Sequence, residues 1–199
     1  RQHAIPIAEF KSLLTAFRMD LQRNSYNTFK DLRTYCEFSA SPVGRVVLYV
    51  HGHREPELHR FSDEICIALQ VANQLQDLSI DLPRDRNYLP IQDQRHFGVQ
   101  AEDLLAGKHS PEFKELMAHS VARTRAMFLR GKPLIRRVGN SLSVELEATW
   151  RGGMRILDRV EELDYEVLRA RPSLEKRDMA DIALRSMFSF GRRLLNNRR

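Results

Sequence analysis

Four polar residues follow one another at helical spacing in an otherwise apolar stretch of the sequence. No charged residue occurs over 65–76, which predicts a helix buried in the middle of a bundle. At about 100° per residue, four side chains at these offsets fall within an arc of roughly 80° and form a single stripe. The members of this stripe are Gln70, Asn73, Asp77 and Asp81.

The two carboxylates of the stripe indicate a divalent cation. Asp77 and Asp81 are four residues apart, so their oxygens lie about one helical turn apart, and burial without a partner would be very costly. Mg²⁺ prefers oxygen ligands and often bridges to substrate phosphates. Arg84 and Arg86 follow at once, and guanidinium groups bind phosphate oxygens. The pattern therefore points to a diphosphate site, and the alternative is a solvated acidic face.

Composition sets the broad class of the protein. The chain has 199 residues, of which 42% are hydrophobic and 29% are charged, so it can bury the core of one domain. No uncharged apolar run approaches the roughly 18 residues that a membrane-spanning helix needs. The net charge of +6 favours anionic partners. Two cysteines are too few for a disulfide scaffold, which favours free thiols in a reducing compartment.

Hydrophobic periodicity predicts an all-α bundle in which short connections join the helices. The run of β-branched residues over 46–50 follows Ser41 and Pro42, and a Ser N-cap followed by Pro starts a helix there. Short turns are expected between Pro90 and Gly107. The predicted helices cover 8–23, 28–38, 41–51, 57–81, 110–132, 133–164 with a bend at Gly152 and Gly153, and 173–195.

At this point the sequence resembles a known family. The run NQLQDLSIDLPRDRNYLP over 73–90 resembles the second aspartate-rich motif of the squalene/phytoene synthases, the head-to-head prenyl synthases. FRMDL over 17–21 resembles the helix before the family's substrate tyrosine, and YCEFSASPVGR over 35–45 resembles its tyrosine–cysteine segment. ILDRVEELDYEVL over 156–168 resembles its closing region. The resemblance implies an isoprenoid-synthase-type helical bundle with a central apolar cavity, of which residues 1–199 form the C-terminal two-thirds as a single partial domain.

Two departures refine the resemblance. SASPVGR over 39–45, and Gln76 where squalene and phytoene synthases usually carry Arg, are similar to the hydroxysqualene synthase branch of bacterial hopanoid biosynthesis. No first aspartate-rich motif precedes Ala8. We therefore expect the chain to hold half of the metal site and to be inactive alone.

The resemblance also implies a role for individual residues. Asp77 and Asp81 correspond to metal ligands and catalytic groups, and Tyr35 corresponds to a tyrosine implicated in cation or proton handling. Asn73 is expected to bind the metal and substrate. The other expected substrate contacts are Gln70 on the same face, Arg86 and the weaker candidate Arg18 at the diphosphate, and Ser39, Ala40, Val43 and Gly44 along the prenyl-chain wall.

The implied function is Mg²⁺-dependent chemistry on prenyl diphosphates. In the hydroxysqualene branch, presqualene diphosphate ionises and water captures the cation. Head-to-head joining of two prenyl diphosphates remains an alternative, as does a non-catalytic homologue that acts as a binding or assembly factor. We expect a cytoplasmic protein, with peripheral association at the inner membrane face left open because the substrates are lipids and Arg198 and Arg199 are basic. No nucleic acid is expected, because the basic residues are interspersed with acidic ones.

Overall fold

The computed structural model describes residues 3–196, and every regular element in that range is helical. This confirms the predicted all-α class. The α-helices are α1 (Ile7–Gln22), α2 (Phe29–Ser39), α3 (Ser41–Val50), α4 (Pro56–Gln76), α5 (Leu78–Asp81), α6 (Ile91–His96), α7 (Ala101–Leu105), α8 (Pro111–Gly131), α9 (Asn140–Glu162) and α10 (Lys176–Asn196). Arg198 and Arg199 lie outside the described residues.

Local signals start several of these helices as predicted. Ser110 caps α8, because its hydroxyl accepts the backbone N–H of Phe113 at 3.2 Å. The β-branched run over 46–50 is helical, as the proline at the first turn of α3 predicted. The predicted N-cap there is wrong by one residue: Ala40 is the cap, and Ser41 is the first helical residue, with its hydroxyl buried and without a hydrogen-bond partner.

Helix α4 forms the centre of the bundle. It packs against α8 over much of its length and also against α2, α3 and α9. Its inward side chains are almost fully buried, which confirms the predicted apolar core of this helix. Those residues are Leu58, Ile65, Ile67, Ala68, Val71, Ala72 and Leu75.

The predicted uninterrupted helix over 57–81 is wrong beyond Gln76. Helix α4 ends at Gln76, because the φ of −98° and ψ of 12° of its C-cap Asp77 leave the helical region, and the short α5 follows. The change of direction brings Leu78 fully into the core. A 3₁₀ turn over Leu82–Arg84 contains Pro83, which has no backbone N–H with which to continue an α-helix.

The predicted helix over 133–164 is also interrupted. A 3₁₀ turn occupies Lys132–Arg136, and α9 begins only at Asn140. The glycine pair does not break α9. Because Gly153 has no side chain, α9 can approach α8 closely: a Cβ at this position would lie 2.3 Å from Cζ of Phe128. The region between Pro90 and Gly107, expected to be turns, contains the short helices α6 and α7.

Within the described part of the chain, none of the helices combines the length and apolar character that would be needed to traverse a lipid bilayer.

Candidate functional site

The two aspartates of the stripe lie where α4 gives way to α5. The backbone N–H of Asp81 donates to the carbonyl of Asp77 at 2.8 Å, so the two residues are one helical turn apart, as predicted. Their side chains are half-buried and that of Asn73 is exposed, which corrects the expectation that the stripe is buried. The reason is that the described helices that pack against α4 leave this side of it open.

Electrostatics at this turn favour a cation. Burial and then the neighbouring carboxylate of Asp77 raise the pKa of Asp81, while Arg86 and Arg84 act in the opposite direction. No cluster of three or more His, Cys, Asp or Glu suited to a metal occurs among residues 3–196. Mg²⁺ needs only one or two protein carboxylates when waters and phosphates supply its other ligands. The carboxylate pair therefore fits Mg²⁺, with Asn73 as an exposed amide on the preceding turn.

A polar pocket opens beside Asp81. It has a volume of about 310 Å³ and lies between the end of α1 and the segment over 84–88. The backbone N–H of Arg86 donates to the carbonyl of Asp81 at 3.0 Å, so the segment that lines the pocket contacts the backbone of Asp81. Three guanidinium groups in one pocket suit a polyanion such as diphosphate. The charged lining residues are Asp20, Arg23, Arg84, Asp85 and Arg86.

Three tyrosines form a cluster behind this pocket. The ring centroid of Tyr35 lies 5.4 Å from that of Tyr26 and 6.1 Å from that of Tyr88. Tyr88 also lines the pocket. Burial first, and then the negative charges of Asp20 and Asp81, raise the pKa of Tyr88. Burial, followed by a hydrogen bond to Asp20, raises the pKa of Tyr35 well above its usual value. The cluster thus connects Tyr35 with the carboxylate pair through Tyr88.

The segment between α9 and α10 closes one side of the carboxylate pair. Nε of Arg171 lies 2.5 Å from Oδ1 of Asp77. The buried amide of Gln76 donates to the carbonyl of Pro172, also at 2.5 Å. Gln76, where the resemblance led us to expect an arginine, is a neutral side chain that turns inward, and the cation beside Asp77 is Arg171.

The expected chain wall is only partly open. Val43 is exposed, whereas Ala40 is buried and Ser39 is half-buried, with a hydroxyl that has no hydrogen-bond partner. Gly44 does not offer open space, because a Cβ there would lie 2.4 Å from Oγ of Ser62 on α4. Its role is to let α3 and α4 approach each other.

A larger apolar surface continues this wall onto α1. We call it the α1/α3 face. Because its α1 members recur every three or four residues, they form one stripe along that helix. The face comprises Ile7, Phe10, Leu14, Phe17 and Leu21 on α1 and Val43, Val47 and Val50 on α3, all exposed.

Sequence reasoning located part of this site and missed the rest. Gln70 is half-buried on α4, and Arg18 is exposed on α1 outside the polar pocket, where Arg23 lies instead. Tyr26, Tyr88 and Arg171 were not singled out. Tyr88 lies within the motif over 73–90 and could have been found there, whereas Tyr26 and Arg171 meet the motif only through the fold.

Comparisons with known proteins agree with this geometry. The sequence model of the family described as squalene/phytoene synthase matches residues 1–178. The chain is 33% identical over 180 residues to a phytoene synthase of Arthrospira platensis, covering 84% of this chain and 58% of that protein. It is 36% identical over 134 residues to a hydroxysqualene synthase of Rhodopseudomonas palustris, covering 67% of this chain and 46% of that protein.

Solved structures show the same fold. Squalene synthase HpnC from Alicyclobacillus acidocaldarius superposes with a TM-score of 0.81 and 36% identity, covering 82% of this chain and 62% of that chain. A dehydrosqualene synthase superposes with a TM-score of 0.86 at 19% identity, covering 94% of this chain and 66% of that chain. The chain thus spans 46–58% of the length of the two sequence relatives. Taken with the match over residues 1–178, these findings show that the chain belongs to the squalene/phytoene synthase family.

Proposed function

We propose that this chain carries the second half of a Mg²⁺-dependent site that ionises presqualene diphosphate and lets water capture the cation to give hydroxysqualene. The observation that carries the proposal is that Tyr88, which lies seven residues after Asp81, stacks on Tyr35 and lines the polar pocket together with Arg84 and Arg86. A non-catalytic binding or assembly factor would not need this combination of groups.

The polar half of the site holds the diphosphate. Asp77, Asp81 and the amide oxygen of Asn73 are the groups that would hold Mg²⁺. Bound there, Mg²⁺ supplies charge neutralisation for the departing diphosphate. Arg86 and Arg84 donate to the diphosphate oxygens from the polar pocket, and Gln70 lies on the same side of α4 one turn before Asn73.

The tyrosine cluster faces the cation that remains. Tyr35 keeps its proton, because burial and Asp20 raise its pKa. A neutral phenol ring stabilises a neighbouring carbocation through its face, as aromatic rings do for other cations. Its hydroxyl can orient a water molecule without being consumed. Tyr35 is therefore the catalytic aromatic residue of the proposal.

The α1/α3 face holds the hydrocarbon part of the substrate. Its side chains are apolar and lie on the helices that flank the tyrosine cluster. An apolar wall excludes the bulk water that would otherwise quench the cation at the wrong carbon. Val43 belongs to this wall. Gly44 acts behind it by letting α3 approach α4, and Ser39 and Ala40 lie at the junction of α2 and α3.

The choice of presqualene diphosphate rests on Gln76. Its neutral, buried side chain binds the carbonyl of Pro172 and offers no guanidinium group to a diphosphate, which suits an enzyme that takes an already joined substrate. The second candidate is head-to-head joining of two prenyl diphosphates. It is favoured by the similarity to a phytoene synthase over 84% of this chain.

Peripheral membrane association is part of the proposal, with the protein on the cytoplasmic side of the membrane. Helix α10 exposes an apolar surface, which we call the α10 face, and exposed Arg185 and Arg192 lie on the same helix. Basic amphipathic helices bind anionic lipid surfaces. The α10 face comprises Met179, Leu184, Met187 and Phe188.

Product analysis tests the proposed reaction. The complete protein that carries this chain is incubated with Mg²⁺ and either farnesyl diphosphate or presqualene diphosphate. We expect hydroxysqualene from presqualene diphosphate and no joined product from farnesyl diphosphate alone. Phytoene, squalene or presqualene diphosphate formed from simple prenyl diphosphates would support the joining reaction instead. Absence of any product in either incubation would support the non-catalytic alternative.

A further inference from the structure

The connection between α9 and α10 returns to the end of α4 and meets the predicted metal ligands there. Arg171 and Asp77 are 94 positions apart in the sequence, yet Nε of Arg171 lies 2.5 Å from Oδ1 of Asp77. Asp77 is also the C-cap of α4, where the helix dipole is unfavourable for a carboxylate. A guanidinium group at this point therefore compensates a negative charge that nothing else in α4 balances.

Arg171 is held in place by its neighbour. Gln76, the residue before Asp77, is 5% exposed, and its amide donates to the carbonyl of Pro172. Pro172 is itself buried. A residue that precedes proline is restricted to extended backbone, so fixing Pro172 also limits the backbone of Arg171. Thus Gln76 binds Pro172, and the next residue, Asp77, binds the preceding residue of the connection, Arg171.

The guanidinium group of Arg171 and a divalent cation would compete for the carboxylate of Asp77. Both are positively charged and both approach the same carboxylate, so they repel each other even if they take different oxygens. The side chains of Arg171 and Asp77 are 46% and 28% exposed. Ion pairs with this much solvent are weak, so a metal ion can displace the arginine.

We infer that Arg171 and the divalent cation compete for Asp77, and that Gln76 is the positioning residue that keeps Arg171 there through Pro172. The inference rests on the proposed function, because it takes Asp77 as a metal ligand. In the metal-free protein Arg171 neutralises Asp77, and metal binding frees the guanidinium group. The arrangement keeps the carboxylate pair ordered before the metal arrives and lowers its affinity for the metal.

Mn²⁺ binding to the complete protein, followed by electron paramagnetic resonance, tests the competition directly. Arg171→Ala is expected to tighten Mn²⁺ binding by about two- to fivefold, the range that a weak, solvated ion pair allows. Arg171→Lys, which keeps the charge, should stay close to the unaltered protein. Arg169→Ala is the matched control, because it removes the same charge from the same connection while Arg169 contacts the carbonyl of Gly107 instead. It should change the affinity less than Arg171→Ala.

A second variant and a second readout test the positioning role. Gln76→Met keeps the volume of the side chain and loses its bond to Pro172, and it should tighten Mn²⁺ binding in the same direction as Arg171→Ala. If this variant fails to fold, the Nε–H nuclear magnetic resonance signal of Arg171 in the unaltered protein replaces it. That signal should shift on addition of Mg²⁺ while that of Arg169 stays in place.

The outcomes separate this inference from the proposed function. Saturable Mn²⁺ binding that Arg171→Ala leaves unchanged or weakens overturns the competition and leaves the metal site intact. An equal effect of Arg169→Ala and Arg171→Ala also overturns it, since general charge would then explain both. Absence of saturable binding to the unaltered protein overturns the metal site and the inference together.

Discussion

The rings of Tyr35 and Tyr88 are stacked, with centroids 6.1 Å apart and planes inclined by 28°. Tyr35 belongs to α2, and Tyr88 lies in the segment that follows the second aspartate. This contact joins a predicted catalytic residue to the motif that carries the carboxylate pair, and the burial of Tyr35 has an energetic consequence at alkaline pH.

Alkaline pH should destabilise the protein through the buried tyrosines. Burial raises the pKa of Tyr35 and of Tyr26 above the ordinary value of 10.0. The unfolded chain therefore loses these protons first, so the stabilisation is complete below pH 10 and is lost as the pH rises above it. Each residue should contribute a slope of about 1.4 kcal/mol per pH unit there. Urea unfolding of the unaltered protein and of Tyr35→Phe at a series of pH values measures it, and equal slopes for the two would contradict the prediction.

Removal of either carboxylate should abolish most turnover without unfolding the protein. Asp77→Asn and Asp81→Asn keep the side-chain volume and lose the charge that would hold the metal. We expect turnover of presqualene diphosphate to fall by at least about a hundredfold, since the charge of the leaving group is then not neutralised. Circular dichroism checks the fold. Asp181→Asn on the exposed side of α10 is the control, and near-normal turnover in Asp77→Asn would refute the metal role.

Acidification should loosen α10 through Asp178. This carboxylate accepts hydrogen bonds from Arg155, Arg159 and the backbone N–H of Glu175, and these hold its pKa well below the usual value. Because the folded-state pKa is depressed, the stabilisation is present above the ordinary pKa of 3.8 and is lost as the pH falls below it. Hydrogen exchange over 176–192 should accelerate on acidification, and at neutral pH in Asp178→Asn. Unchanged exchange in this variant, with Asp181→Asn as reference, would count against the anchoring role.

The two adjacent glycines of α9 should respond to alanine in opposite directions. Gly153→Ala places a Cβ 2.3 Å from Cζ of Phe128 and should lower the free energy of unfolding by about 1–3 kcal/mol. Gly152→Ala meets only Cδ1 of Leu174 at 4.0 Å and should raise it by about 0.5–1 kcal/mol, because alanine favours the helix. Chemical denaturation of both variants decides, and a stable Gly153→Ala would show that α8 and α9 can separate at no cost.

The α10 face should bind anionic membranes. A larger fraction of the unaltered protein should sediment with vesicles of phosphatidylglycerol than with vesicles of phosphatidylcholine, because Arg185 and Arg192 are exposed on the same helix as the α10 face. We call this fraction the retention. Leu184→Glu should reduce this retention. Leu105→Glu, at an equally exposed leucine on α7, is the control. Equal retention of both variants would contradict the prediction. Self-association that buries Leu184 and does not depend on salt would show that another protein surface covers this face.

The helical class, the approximate helix positions and the spacing of Asp77 and Asp81 could all be predicted from the amino-acid sequence. These depend on local signals: hydrophobic period, prolines at helix starts and a motif within one turn of chain. The same signals failed to predict where a helix ends when contacts with other parts of the fold determine its end. Neither the stop of α4 at Asp77 nor the gap between residues 136 and 140 follows from helix propensity, since in both places the chain turns to bring apolar residues into the core.

The surroundings of the carboxylates depend on the packing of distant segments of the chain. Tyr35, Tyr88 and Arg171 come from three separate parts of the chain, and Arg171 reaches Asp77 across 94 positions. Such contacts depend on how helices pack, which the sequence encodes through burial of many side chains at once rather than through any short pattern. For the same reason the sequence did not predict how exposed the polar stripe is. The exposure of its side chains depends on how many helices pack around α4, and not on the composition of α4 alone.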